Sequence, residues 1–291
     1  MIGSSTELGH KPVSAHDLRL SPRLIQRSGP GAARTRGTGD VPVMTPTQWA
    51  DLCDVVADAM KVHTRPYVSP LVGGPLGKPP EIGTGTFLDR DGIEVVTCEH
   101  VARAAPHEHE FYGAPGLLKL PVKWRVDVKR DTAIASVPPS HWNSTPHASL
   151  PLPMTRFANV HNPVEMEILF FRGFAGQNAV LQIGHSKFIA TGYCSQEKPG
   201  AGDTNIFEML WHPPGTTISS GTPDTVRATF QHNNPQGLSG SLVWNTRFVE
   251  TGCDLLSWTP NDAVVTGLLH RWDFNTKTLL ALRVEHLLAW L

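Results

Sequence analysis

A serine set between glycines is the first place in this chain where residue types could do covalent chemistry. Ser239 lies in Gly237-Leu238-Ser239-Gly240-Ser241, and the apolar run Leu242-Val243-Trp244 follows at once. A hydroxyl attacks a carbonyl only with a base beside it and with donors waiting for the charge that develops. Glycines let backbone N–H groups turn toward that charge with no side chain in the way. Two earlier stretches could supply the remaining parts. Thr97-Cys98-Glu99-His100-Val101-Ala102 offers an imidazole after a strand-like run, and Asp131-Thr132-Ala133-Ile134-Ala135 an aspartate opening another. Asp127, four residues earlier, competes with Asp131 for that role.

Histidine, aspartate and serine in that order, within GTGTF, T-x-x-HV, DTA and GLSGS, resemble the trypsin-like (chymotrypsin-fold) serine peptidases, in particular their bacterial-type members. The resemblance covers the chain from Glu81 to its C-terminus. It implies Ser239 as nucleophile, His100 as general base and Asp131 as the group that orients the imidazole. It further implies an oxyanion hole made by the backbone N–H groups of Gly237 and Ser239. Asn233, six residues before the serine, would stand near the base of the primary specificity pocket and brings no charge. Gln236, Leu269, His270 and Trp272 are the other pocket candidates, with His270-Arg271-Trp272 following a strand that would pair with substrate backbone. Leu238 occupies the place where animal trypsins carry an acidic residue for activation, so that switch is not expected. An α/β-hydrolase is disfavoured, because there the serine elbow comes first and the histidine last.

A metal site has one candidate outside these blocks. His107-Glu108-His109-Glu110 presents four donors, with His141, His147 and His161 downstream. No downstream partner has recognisable zinc-ligand spacing, so a polar surface loop is expected, with no metal and no cofactor. Net charge is −1, with 25 basic and 26 acidic residues, which excludes a broad basic field for nucleic acid or an anionic membrane. No apolar run is long enough for a membrane span. Cys53, Cys98, Cys194 and Cys253 form no CxxC pair, and the first residues lack the apolar core of a secretory signal. A reduced, cytoplasmic protein is expected.

The elements that must hold these residues read as all-β, a double six-stranded antiparallel barrel with an added helix at each end. Residues 1–40 are rich in Gly, Ser, Arg and Pro and read as a tail. Residues 41–80 form a helix and linker: Thr45-Pro46-Thr47-Gln48 caps it, and Trp49, Leu52, Cys53, Val56 and Met60 share a face. The peptidase domain spans 81–291. Its first barrel, about 81–137, starts with a hairpin of Thr84–Leu88 and Ile93–Thr97 and continues near Phe111, Val122–Val128 and Ile134–Val137. A Pro- and Ser-rich linker over 138–155 leads to the second barrel, about 156–280. Strands are predicted there at Met166–Arg172, Val180–Gly184, Lys187–Tyr193, Ile206–Leu210, Val226–Phe230, Ser241–Trp244 and Val264–Leu269. Residues 281–291 are predicted to close the chain as a helix.

The expected activity is serine endopeptidase action on peptide or protein substrates, confined to few targets and open to control by an activating partner. The rival is a catalytically silent binding or regulatory module that keeps the fold.

Overall fold

The computed structural model describes residues 44–74, 79–182, 185–200 and 203–291. The tail expected over 1–40 lies outside them. Helix α1 (Pro46–Thr64) begins as its sequence requires: the Thr45 hydroxyl accepts the Gln48 N–H, and the Gln48 side chain accepts the Thr45 N–H. Val56 and Met60 are fully buried on the face that also carries Trp49, Leu52 and Cys53.

The first sheet contains β1 (Val68–Gly73), β2 (Glu81–Asp89) and β3 (Ile93–Thr97). After the short helix α2 (Glu99–Ala102) come β4 (His107–His109), β5 (Leu118–Leu120), β6 (Arg125–Asp127) and β7 (Thr132–Ser136). Helix α3 (Pro139–Trp142) and β8 (Leu152–Pro153) complete this half. The strand order is β5-β4-β1-β2-β3-β7-β6, antiparallel throughout, with β8 added parallel to β2. The second half consists of β9 (Leu169–Gln182), β10 (His185–Ser195), β11 (Ile206–Leu210), α4 (Asp224–Arg227), β12 (Leu242–Asn245), β13 (Val264–Asp273), β14 (Thr278–Arg283) and α5 (Val284–Leu288). Its six strands run β10-β9-β12-β13-β14-β11, all antiparallel.

This is the expected chymotrypsin-like, all-β architecture, except that the first sheet has eight strands rather than six. Period-two alternation explains how the halves join. Phe170 of β9 and Leu242 of β12 face a core shared with Phe87, Val95 and Met60, whereas Leu169, Phe171 and Val243 face a second cluster with Phe207, Leu238 and Leu269. Leu238 in that second cluster anchors the loop that carries Ser239. No helix among the described residues is long and apolar enough to cross a membrane.

Several local expectations need correction. The sheet begins at β1, ahead of the expected boundary at 81. Val226–Phe230 is not a strand: Pro223 and Asp224 open the helical turn α4, whose carbonyls take the N–H groups of residues 226–228. Phe111 lies in a loop, and β9 starts only at Leu169 because Met166 turns the chain at a φ of +66°. The closing helix is shorter than 281–291, since β14 takes residues through Arg283 into ladders with β13 and β11. His107–Glu110 is not a polar surface loop either. His107 and His109 share the buried face of β4, where His107 is bonded to the Val101 carbonyl and His109 to His141.

Candidate active site

His100 is brought into place by the turn that ends β3. Cys98 stays extended as the cap of α2, and His100 is the second helical residue, its side chain 45% exposed. Asp131 precedes β7 with a φ of +52°, a left-handed conformation that a non-glycine residue adopts only where its surroundings demand it. That twist turns the carboxylate inward. His100 Nδ1 donates to both Asp131 oxygens at 2.9 Å, and the His100 backbone N–H donates to Oδ1 at 3.1 Å. A carboxylate only accepts, so the ring proton sits on Nδ1 and leaves Nε2 on the far side as the basic atom. Burial alone would push the Asp131 carboxyl up. The bonds from His100, with His270 beside it, outweigh burial and hold it well below the usual carboxylate range.

The competing aspartate is used elsewhere. Asp127 accepts the backbone N–H of Arg130 at 3.0 Å and its guanidinium at 2.6 Å, which closes the turn leading to Asp131. Asp127 therefore shapes the approach, and Asp131 carries the contact with His100.

The Ser239 loop is held from three sides. The Ser239 carbonyl accepts the Thr84 N–H at 2.9 Å, the Gly240 N–H donates to Leu269 O, and Ser241 Oγ donates to Leu238 O. Thr84 is the hub: its hydroxyl donates to Gly237 O at 3.0 Å and accepts the Phe174 N–H at 3.0 Å. Thr97, in turn, donates to the Thr84 carbonyl at 2.7 Å. The GTGTF block thus matters as an anchor for the Ser239 loop. Its role was invisible in the sequence, because it depends on β2 lying against a loop 153 residues away. Gly240, at a φ of +93°, admits no side chain, since a Cβ would run into the Thr84 carbonyl.

Gly237 has a φ of +100° and is packed so that a Cβ would lie 2.5 Å from Phe174 O. The Gln236 carbonyl accepts the Gly176 N–H at 2.8 Å. In a trans peptide the N–H points opposite to the carbonyl, so the Gly237 N–H faces away from Gly176. Neither the Gly237 nor the Ser239 N–H donates to an acceptor among the described residues. The Ser239 loop therefore holds two free donors, the kind of group that can receive a developing negative charge. Ser239 Oγ itself donates to the His270 carbonyl at 3.0 Å.

A cleft of about 530 Å³ opens beside Ser239, with Asn233, Gln236 and Leu238 on one side and Leu269, Arg271 and Trp272 on the other. Four of the five expected pocket residues line it. His270 does not: it is 7% exposed and turned toward Asp131, with Nδ1 3.7 Å from Oδ2. The β13–β14 register skips from Leu269 to Arg271, a bulge that leaves His270 unpaired and away from the cleft and returns Trp272 to the face of Leu269. Arg271 takes the place expected for His270, half over the cleft and 3.8 Å from Asp131.

Among the described residues, the other histidines form no ligand set. His109 Nε2 lies 2.7 Å from His141 Nε2, His147 is bonded to Trp142 O, and His161 sits elsewhere between Thr266 and Glu197.

No protein-family model matches the chain, and no curated protein matches it. Among solved structures it is similar to the active form of the Rv3671c protease from M. tuberculosis, at 17% identity over 89% of this chain and 92% of that one, TM-score 0.47. It is also similar to a serine endoprotease from Yersinia pestis, at 14% identity over 80% of this chain, TM-score 0.47. The match spans 64% of that protein's length, just under two thirds. A third likeness is to a human pathogenic astrovirus serine protease, at 14% identity over 76% of this chain and 90% of that one, TM-score 0.41. The strand pairing and the order of His100, Asp131 and Ser239 along it make the fold of this chain chymotrypsin-like.

Proposed function

We infer that the chain is a serine endopeptidase that cleaves peptide bonds through an acyl-enzyme on Ser239. The observation that carries this reading is the doubly hydrogen-bonded Asp131–His100 pair, together with a Ser239 loop whose Gly237 and Ser239 N–H groups are free among the described residues. Substrate backbone would pair along residues 270–273 of β13, which run past the end of the β12 ladder beside the cleft. His100 Nε2 would take the Ser239 proton as Oγ attacks, and would return it to the leaving amine. Asp131 would hold the imidazolium that forms between those steps. The Gly237 and Ser239 N–H groups would receive the oxyanion.

A second reading is favoured by one contact. Ser239 Oγ donates to His270 O rather than to His100. A site at rest in this state must rotate the serine side chain before attack, and a dedicated cytoplasmic protease controlled by a partner would use that step. A silent binding module would never take it.

Labelling of the purified protein with a fluorophosphonate separates these readings. Covalent labelling that vanishes in Ser239→Ala and in His100→Ala is the expected result. Absence of labelling from folded protein, alone and with candidate partners, would leave the binding-module reading.

A further inference from the structure

Peptide hydrolysis has no use for the thiol beneath His100, or for the ring nitrogens of His270. We propose that Cys98, His100, Asp131 and His270 form a site for zinc, and that zinc binding disassembles the catalytic pair. The inhibitory consequence rests on the peptidase reading above; the binding itself does not.

Three of the four donor atoms are already gathered. Cys98 Sγ, a His100 ring nitrogen and an Asp131 oxygen all lie within 4.8 Å of one another. His270 supplies the independent observation. It is 7% exposed, its Nδ1 is 3.7 Å from Asp131 Oδ2, and neither ring nitrogen has a hydrogen-bond partner among the described residues. A buried imidazole without a partner is costly to keep, and a metal would satisfy it. The Cys98 thiol is spent on no stronger contact than a bond to Leu269 O at 3.3 Å.

The chemistry of the set selects the cation. One thiolate, one carboxylate and two neutral imidazoles carry two negative charges, which a divalent ion cancels within a buried site. Sulfur and nitrogen donors favour zinc over magnesium or calcium, and four ligands match its tetrahedral preference. On binding, the Cys98 S–H bond breaks, sulfur keeps the electron pair for the metal, and the proton passes to solvent. Zinc ligands sit at about 2.0–2.3 Å from the ion, so the His100–Asp131 hydrogen bond must open to admit it. The exposed His100 ring can make that movement, and Arg271, also largely exposed, can swing from Asp131. His100 Nδ1 and the carboxylate would then serve the metal instead of each other. The nucleophile loses its base.

The test uses the full chain, freed of metal by chelator dialysis, with cobalt as the spectroscopic stand-in and zinc as the competitor. Wild-type protein should develop a thiolate-to-cobalt charge-transfer band that zinc abolishes, and Cys98→Ala should show none. His270→Gln should bind at least about tenfold more weakly, and it gives an independent arm if Cys98→Ala fails to fold. In parallel, zinc should block fluorophosphonate labelling of wild type, reversibly with chelator, while Cys98→Ala labels with or without zinc. A band that survives in Cys98→Ala, cobalt affinity unchanged in His270→Gln, or zinc inhibition unaltered in Cys98→Ala would overturn the site. A band confined to protein with Cys98, in a chain that never labels, would support the site and refute the peptidase reading.

Discussion

Asp131 meets His100 twice, through the ring at 2.9 Å and through the backbone N–H at 3.1 Å, so one carboxylate fixes both the tautomer and the position of the imidazole. Replacing the carboxylate by an amide of the same shape should keep the fold and lose the chemistry. Asp131→Asn should lower turnover about 10⁴-fold, because an amide can stabilise the wrong tautomer. Labelling rates and thermal melting, measured together, check this. Unchanged labelling in a stable variant would remove Asp131 from the mechanism.

Thr84 ties the serine loop to the first sheet through its hydroxyl, which serves both Gly237 O and the Phe174 N–H. Thr84→Val keeps the volume and leaves both backbone groups buried without that partner. Each group so stranded costs about 1–3 kcal/mol. Because one of them belongs to Gly237, proposed as an oxyanion donor, labelling should slow more than that of a variant equally destabilised in the distant core. Comparison with Leu287→Ala, on α5, makes the test.

How much of this was legible follows from how local each signal is. The His100 turn, the DTA strand and the GLSGS loop are each fixed by a few adjacent residues, and their chain order carried the fold. Helix α1 was legible for the same reason, in its capping box and its apolar face. Strand β4 was not, because two histidines read as polar until neighbouring aromatics bury them: Phe87 and Phe111 pack on His109, and Trp124 on His107. His270 was misplaced because β13 bulges there, and a one-residue bulge leaves no mark in the local pattern. The anchoring role of Thr84 depends on contacts between halves of the chain, which no local pattern encodes.

The buried histidines set an acid limit on stability. Burial, then the neighbouring His141 and His147, push His109 down from 6.5 to about 3. Burial likewise lowers His107 and His141. Groups held below their unfolded values take up protons first in the unfolded chain as pH falls. Their contribution is therefore whole above about pH 6.5 and is lost progressively toward about pH 3. Urea midpoints should fall across that window, and His109→Phe should make the fall shallower. A wild-type midpoint independent of pH there would contradict the argument.

Helix α1 holds the segment that leads into the serine loop. Asp58 accepts the Gly221 N–H at 2.8 Å and the Ser219 hydroxyl at 2.6 Å, and Asp54 accepts the Ser220 N–H at 3.0 Å. From there the chain runs through α4 to Asn233 and Gly237. Asp58→Ala should cost about 1–3 kcal/mol and slow labelling of Ser239 beyond what partial unfolding explains. Lost stability with unaltered labelling of the folded fraction would mean that the loop is positioned without the helix.

Arg271 gives the cleft its only charge among the lining residues described, since Asn233, Asn234 and Gln236 are neutral. Opposite charges across a contact select partners, and like charges exclude them. A peptide with an acidic side chain at the cleavage position should therefore be cut faster than its lysine counterpart. The guanidinium side chain is 61% exposed, and water screens it, so a modest effect is expected. About tenfold is a fair size, equivalent to about 1.4 kcal/mol. Arg271→Glu should reverse the order, with lysine now preferred, while leaving the labelling rate of Ser239 by a small neutral phosphonate within a few-fold of wild type. A preference that survives the reversal of charge would place the selecting group elsewhere in the cleft, with Trp272 the next residue to change.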